Sequence, residues 1–148
     1  MPIPSFSITE NVGASLLGLS NQMAEKIDKL VTSTAGALAA EMKRSFATAK
    51  HGEVYSTYSI SGKSRPHTAS ALGEAPAINT GFLTNSIIIR PGSHRYERRV
   101  VVGAEYGLYL EMGTIHIKPR PFMGPALNKV APGFHNGLKM IILTKGIA

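Results

Sequence analysis

The chain has 148 residues, 43% of them hydrophobic, and a formal net charge of +7. That length suits one domain with a core of its own, and that composition argues against wholesale disorder. Cysteine and tryptophan are both missing, which excludes disulfides, thiol nucleophiles and cysteine-bound metals.

No apolar run approaches the ~18 residues that span a bilayer. The start, Met1-Pro2-Ile3-Pro4, lacks the basic residues and apolar run of a signal peptide. A soluble protein used in a cytoplasm, with no membrane partner, is the expectation. Residues 1–50 carry five basic and four acidic side chains, and residues 51–83 carry two of each. Residues 84–148 carry nine and three, so the C-terminal half supplies the positive field. Such a field suits nucleic acid or an acidic protein surface. A merely solvated basic face is the plainer alternative.

The first element is a short strand over residues 3–8, where apolar and polar residues alternate and Pro4 favours an edge. Thr9 can cap a brief helical turn through Leu16, Leu17 and Leu19. A long helix follows over about 20–49, with Ser20 as N-cap. Its apolar stripe is Met23, Ile27, Leu30, Leu38, Met42 and Phe46.

Residues 50–80 change character. Tyr55–Ile60 reads as a strand or an extended arm, and the Gly- and Pro-marked stretch after it reads as loop. A loop of roughly 30 residues is long for a compact domain. It is expected to order against a partner subunit, with Tyr55 and Tyr58 as contacts.

Ser86–Arg90 and Arg99–Val102 flank the turn residues Pro91-Gly92-Ser93-His94. They predict a hairpin of 84–91 with 96–103. Its apolar triplets predict cover on both faces. Ala104–Met112 predicts a short helix stopped by Gly113. Ile115-His116-Ile117 alternates like a strand. Phe122–Val130 starts a last helix that tolerates Pro125 in its first turn. Pro132-Gly133 predicts a kink or split before Phe134, Leu138, Ile141 and Ile142 resume the pattern. The whole chain, 1–148, reads as a single α+β domain. A long N-terminal helix and a C-terminal helix pack on a small, mostly antiparallel sheet, with a long extended loop.

No catalytic constellation stands out. The chain has no P-loop, dinucleotide fingerprint, His-Glu-x-x-His pair or Gly-x-Ser-x-Gly elbow, and Asp28 is its only aspartate. No catalytic residue, cofactor or metal is expected. His51 with Glu53, and His116 with Glu111, are weak metal or acid–base pairs, and loop histidines are more often solvated. Gly103, Gly107 and Gly113 flank Tyr106 and Tyr109. The glycines read as strand and helix ends rather than a ligand loop. The tyrosines read as interface anchors or core-edge residues. Arg90, Arg95, Arg98 and Arg99 cluster around the hairpin, with Lys118 and Arg120 beyond. They would suit phosphates or a carboxylate-rich surface. No base-stacking aromatic pair accompanies them.

Three stretches in order carry a resemblance. They are Pro76 with Thr80-Gly81-Phe82-Leu83-Thr84-Asn85-Ser86-Ile87, then Ala104-Glu105-Tyr106 through Tyr109-Leu110-Glu111-Met112-Gly113-Thr114, then Arg120-Pro121-Phe122 with Pro125-Ala126. Over about 73–127 the chain resembles the neck and tail-completion morphogenesis proteins of tailed bacteriophages. Pro132-Gly133 and the long 50–76 segment depart from that family's layout.

The resemblance implies a structural virion protein, not an enzyme, at the head–tail interface. It implies a homo-oligomeric ring, by expectation a hexamer, that joins the tail to the DNA-filled head. The implied partners are other head–tail connector and tail proteins, with non-specific contact to passing DNA. The implied location is the virion neck or tail, and the host cytoplasm during assembly. A tail-terminator ring capping the tail tube is the alternative. A basic nucleic-acid-binding module is a more remote one. The candidate interface residues are Tyr55, Tyr58, Arg90, Arg95, Arg98, Arg99, Tyr106, Tyr109, Arg120 and Phe122. Thr80-Gly81 can set a turn, Glu111 with Gly113-Thr114 can close the short helix, and Arg120-Pro121-Phe122 can seat an aromatic anchor. Fold-setting is the simpler role for these residues.

Overall fold

The structure is a computed structural model that describes residues 5–8, 21–58 and 61–144. The helical turn expected over 9–19 and the Ser20 cap lie outside the described residues. In chain order the elements are β1 (Ser5–Ile8), α1 (Asn21–Ala47), β2 (Val54–Tyr58), β3 (Ser64–Thr68), α2 (Phe82–Asn85), β4 (Ile87–Pro91), β5 (Arg98–Val102), α3 (Tyr106–Met112) and α4 (Met123–Leu143).

The α+β architecture is as expected. β1, β5 and β4 form an antiparallel sheet in that order, and α1 and α4 pack together beside it. Ile87 lies opposite Val102, Arg90 opposite Arg99, and Ser5 opposite Val101. The predicted stripe of α1 is buried at Met23, Ile27, Leu38, Met42 and Phe46, and Val31 and Ala35 join it. Residues four apart share a helix face, so the stripe turns two clusters toward its neighbours. Leu38, Met42 and Phe46 meet Val100, Val102, Phe122 and Ala126 in the larger cluster. Met23, Ile27 and Val31 meet Phe134 in the smaller one.

Four expectations need correction. Val100, Val101 and Val102 of the central strand β5 are all buried, but Ile88 and Ile89 on β4 are 39% and 44% exposed. Among the described residues β4 is a sheet edge, with no outer strand beside it. Residues 115–117 form a turn rather than a strand. Thr114 N–H donates to Ile117 O at 2.7 Å, while Thr114 Oγ1 accepts the amides of His116 and Ile117. A threonine hydroxyl competes with strand pairing in this way. α4 runs through Pro132 as one helix, without the predicted split. Phe134 and the partly buried Leu138 and Ile141 hold the second half of α4 in the smaller cluster, and that packing outweighs the ~3 kcal/mol an interior proline costs.

The fourth correction concerns 50–80, which is not all loop. β2 and β3 pair as an antiparallel ribbon from Val54 opposite Thr68 to Tyr58 opposite Ser64. Most of its residues are exposed. Its base is fastened twice. Gly52 and Ala69 exchange backbone hydrogen bonds with the opposite arm at 3.0 and 2.9 Å. Below them the Glu74 carboxylate takes the His51 ring at 2.5 Å and the amides of Ala71 and His51 at 2.8 and 3.2 Å.

α1 and α4 are also joined by charge. The buried Glu41 carboxylate accepts from Lys129 at 2.7 Å and from Arg44 at 2.6 Å. The bond from Lys129 holds the Glu41 pKa below its ordinary value.

Two outcomes follow. Leu38→Ala leaves a cavity in the larger cluster and lowers unfolding free energy by about 2–5 kcal/mol in urea titration. The hydrogen bond with His51, joined by those from the Ala71 and His51 amides, pulls the Glu74 pKa from 4.5 to about 2. A depressed carboxylate pKa stabilises the folded form above the ordinary value, and the effect fades as pH falls toward the folded one. Amide exchange at Ala71 and at the ribbon base therefore accelerates, beyond its intrinsic pH dependence, as pH drops from 4.5 toward 2, and Glu74→Gln shows the loosened base already at neutral pH.

Candidate functional site

The motif over 80–87 builds one tight corner. Gly81 has φ +79, a left-handed conformation that favours glycine. Phe82 N–H then donates to Thr80 Oγ1 at 3.3 Å, and Asn85 N–H donates to Gly81 O at 2.9 Å, closing the turn of α2. Ser86 Oγ donates to Leu83 O at 2.7 Å, and Ser86 O accepts the Gly103 amide at 2.9 Å. The corner is thus tied to the end of β5.

The second motif forms α3. Gly107 lies against β5, where a Cβ would come within 2.9 Å of Val102 Cγ1. It marks a close helix–strand approach, not the helix end expected from sequence. Gly113 does end the helix.

Glu111 has a role the sequence reading assigned differently. It does not close its own helix. Its Oε2 accepts the amides of Phe122 and Met123 at 2.7 and 2.9 Å, and its Oε1 accepts the Gly124 amide at 2.9 Å. The first amides of a helix have no partner within it, and they favour negative charge. Glu111 therefore caps α4 from α3. Arg120 N–H donates to Leu110 O at 2.7 Å and fixes the same corner. With both oxygens occupied, Glu111 is not placed to work with His116. His51 is engaged by Glu74 rather than by Glu53.

The three motifs meet around one cavity of about 270 Å³. Phe46, Tyr55, Phe82 and Tyr106 supply aromatic walls, and Ser70 and Arg120 supply polar atoms. Tyr55 stacks edge-on against His67 with ring centroids 5.1 Å apart, so the ribbon turns this pair toward the cavity. Strand alternation then sends Val54 and Tyr58 to the opposite face, where both are exposed. Phe82 and Tyr106 lie 6.2 Å apart at the mouth. Partial burial raises the Tyr106 pKa.

The predicted interface residues divide. Tyr55, Tyr58, Tyr106 and Tyr109 are exposed. Phe122 is 0% exposed and packs edge-on against Phe46 at 5.0 Å, so it is a core residue and cannot anchor a partner. Arg98 donates to Asp28 at 2.8 Å and to the carbonyls of Arg95 and Glu97, which ties β5 to α1. Arg99 donates to Glu97 at 2.8 Å, and this bond leads the lowering of the Glu97 pKa. Two of the four hairpin arginines are thus spent inside the molecule. Arg90 and Arg95 are exposed, and Arg95 lies over the Tyr96 ring at 5.7 Å.

Sequence reasoning missed Ser70, Glu74 and the capping by Glu111. Only the Glu111 role left a trace, as an acidic residue in a helix closely followed by the start of another. Compared with known proteins, the chain matches no family model, no curated protein and no solved structure.

Removing the cap has a defined cost. Glu111→Ala strands three amides at the start of α4 and destabilises the fold by about 2 kcal/mol, and Glu111→Gln costs about half as much. Urea unfolding of both variants against the parent measures the difference.

Proposed function

We propose that this chain is a structural subunit of a ring that joins the tail to the DNA-filled head of a tailed bacteriophage. The observation that carries the reading is the surface around the second motif. Between residues 106 and 117, Tyr106, Leu108, Tyr109, Met112, Ile115 and Ile117 are all exposed, with Ile115 at 95% and Met112 at 71%. Exposed apolar residues concentrated in this way mark protein contacts. The three ordered motifs supply the family resemblance, and the same stretch supplies the contact surface.

The rest of the chain is consistent with assembly. The β2–β3 ribbon exposes Val54 and Tyr58, and an isolated two-stranded ribbon is marginal in water. The edge of β4 leaves Ile88 and Ile89 open to a neighbour. A closed ring buries such surfaces on every copy. Arg90 and Arg95 give each subunit two exposed cations for an acidic partner or DNA. A tail-terminator ring would use the same surfaces, and the position of the chain relative to the portal separates the two.

Mass photometry of the purified chain, with and without its partner ring, tests the reading. Ile115→Asp and Met112→Asp change monomer stability by less than about 0.5 kcal/mol, as exposed sites do, yet abolish the oligomer. Unchanged oligomers in both variants contradict it.

A further inference from the structure

The cavity where the three motifs meet has features that fold-setting leaves unexplained. Ser70 lines it, and the Ser70 hydroxyl is buried with no hydrogen-bond partner among the described residues. A buried hydroxyl left unpaired is unfavourable, and such groups are rare in folded proteins. Arg120 lines it too, and its guanidinium makes no ion pair among the described residues. Among the described residues no Asp or Glu stands in the cavity wall. The rest of the wall mixes aromatic and aliphatic residues with the polar His67, Asn79, Thr80 and Thr84. Apolar and aromatic contacts combined with placed polar groups are the usual make-up of a binding site.

We propose that this cavity is a socket for a partner polypeptide that inserts an apolar side chain beside a carboxylate. Charge selects the carboxylate, since Arg120 offers a planar fork of donors with no ion-pair partner among the described residues. The unpaired Ser70 hydroxyl offers a further donor. Size is compatible with a side chain, since about 270 Å³ lies at the lower limit of the ~300–1,000 Å³ of ligand pockets. The mouth selects a polypeptide over a free acid. Tyr55, Ile78, Phe82 and Tyr106 line the cavity yet are each exposed, Phe82 by 60%. A small acid would fill the socket and leave that rim in water, whereas a chain entering the socket covers it. The walls are held ready: Gly81 and Thr80 fix the α2 corner, and the bond from Arg120 N–H to Leu110 O fixes the backbone beneath the guanidinium. The proposal does not depend on where the chain works.

The test uses the full chain and three probes: acetyl-Gly-Phe-Glu-Gly-amide, its Gln counterpart, and free 3-phenylpropionate. Binding is followed by calorimetry and by amide chemical shifts. The Glu peptide is expected to saturate at about millimolar concentration, to shift the amides of Ser70, Phe82 and Tyr106, and to bind about fivefold more tightly than the Gln peptide. Arg120→Met removes that preference, while Ser70→Ala weakens both peptides and leaves the preference in place. Unfolding curves for both variants confirm that they are folded. Equal affinity of the Glu and Gln peptides, saturation by phenylpropionate alone, or no saturation by any probe overturns the proposal.

Discussion

The corner between α3 and α4 depends on one carboxylate. Glu111 takes three amides from the start of α4, and those amides have no other partner within the helix. The cap determines where α4 begins and therefore where Phe122 sits. Phe122 is the largest fully buried side chain among the described residues and meets Phe46 of α1 edge-on. α1 in turn carries the residues that face β5. A carboxylate on a seven-residue helix thus fixes the start of the helix that packs along α1. The same corner holds Arg120 at the cavity, so fold and candidate site share one fastening.

Charge has two roles in this chain, and the sum of +7 hides the division. Part of it is internal. Arg98 bonds Asp28 across the α1–β5 contact, Arg99 bonds Glu97 in the hairpin, and Lys129 bonds Glu41 between helices. Partly buried pairs of this kind position elements more than they add stability. The other part faces outward, at Arg90 and Arg95 by the β4 edge and at the exposed Lys118 and Lys139. The basic C-terminal half is therefore less of a uniform field than its composition suggests, because several of its cations are engaged by carboxylates of the same chain.

The elements with strong periodicity were legible from sequence. The stripe of α1 and the β4–β5 hairpin both appear within a few residues of where the pattern puts them. Failures arose where a distant contact decides. Ile115-His116-Ile117 alternates as a strand does, but Thr114 closes a turn over it. Pro132 reads as a break, but packing of Phe134 against α1 holds the helix. Tyr55–Ile60 reads as a strand or an extended arm and β2 agrees with the first, but its partner β3 reads as loop, because Gly62, Ser64 and Pro66 weaken the strand signal. For the site, Tyr106 and Arg120 could be picked out by residue type. Ser70 could not, because its unpaired hydroxyl exists only once the chain has folded around it. Phe122 misled for the opposite reason, since an aromatic beside Arg120-Pro121 looks the same in sequence whether it faces the core or a partner.

The exposed apolar residues around α3, the open edge of β4 and the exposed face of the ribbon are the surfaces on which the proposed head–tail role rests. The most direct measurement is electron microscopy of particles produced when this reading frame is disrupted in the genome that carries it. The head–tail reading predicts filled heads and free tails that fail to join, and restoration of whole virions when the chain is supplied in trans. Normal infectious virions from the disrupted genome would contradict it.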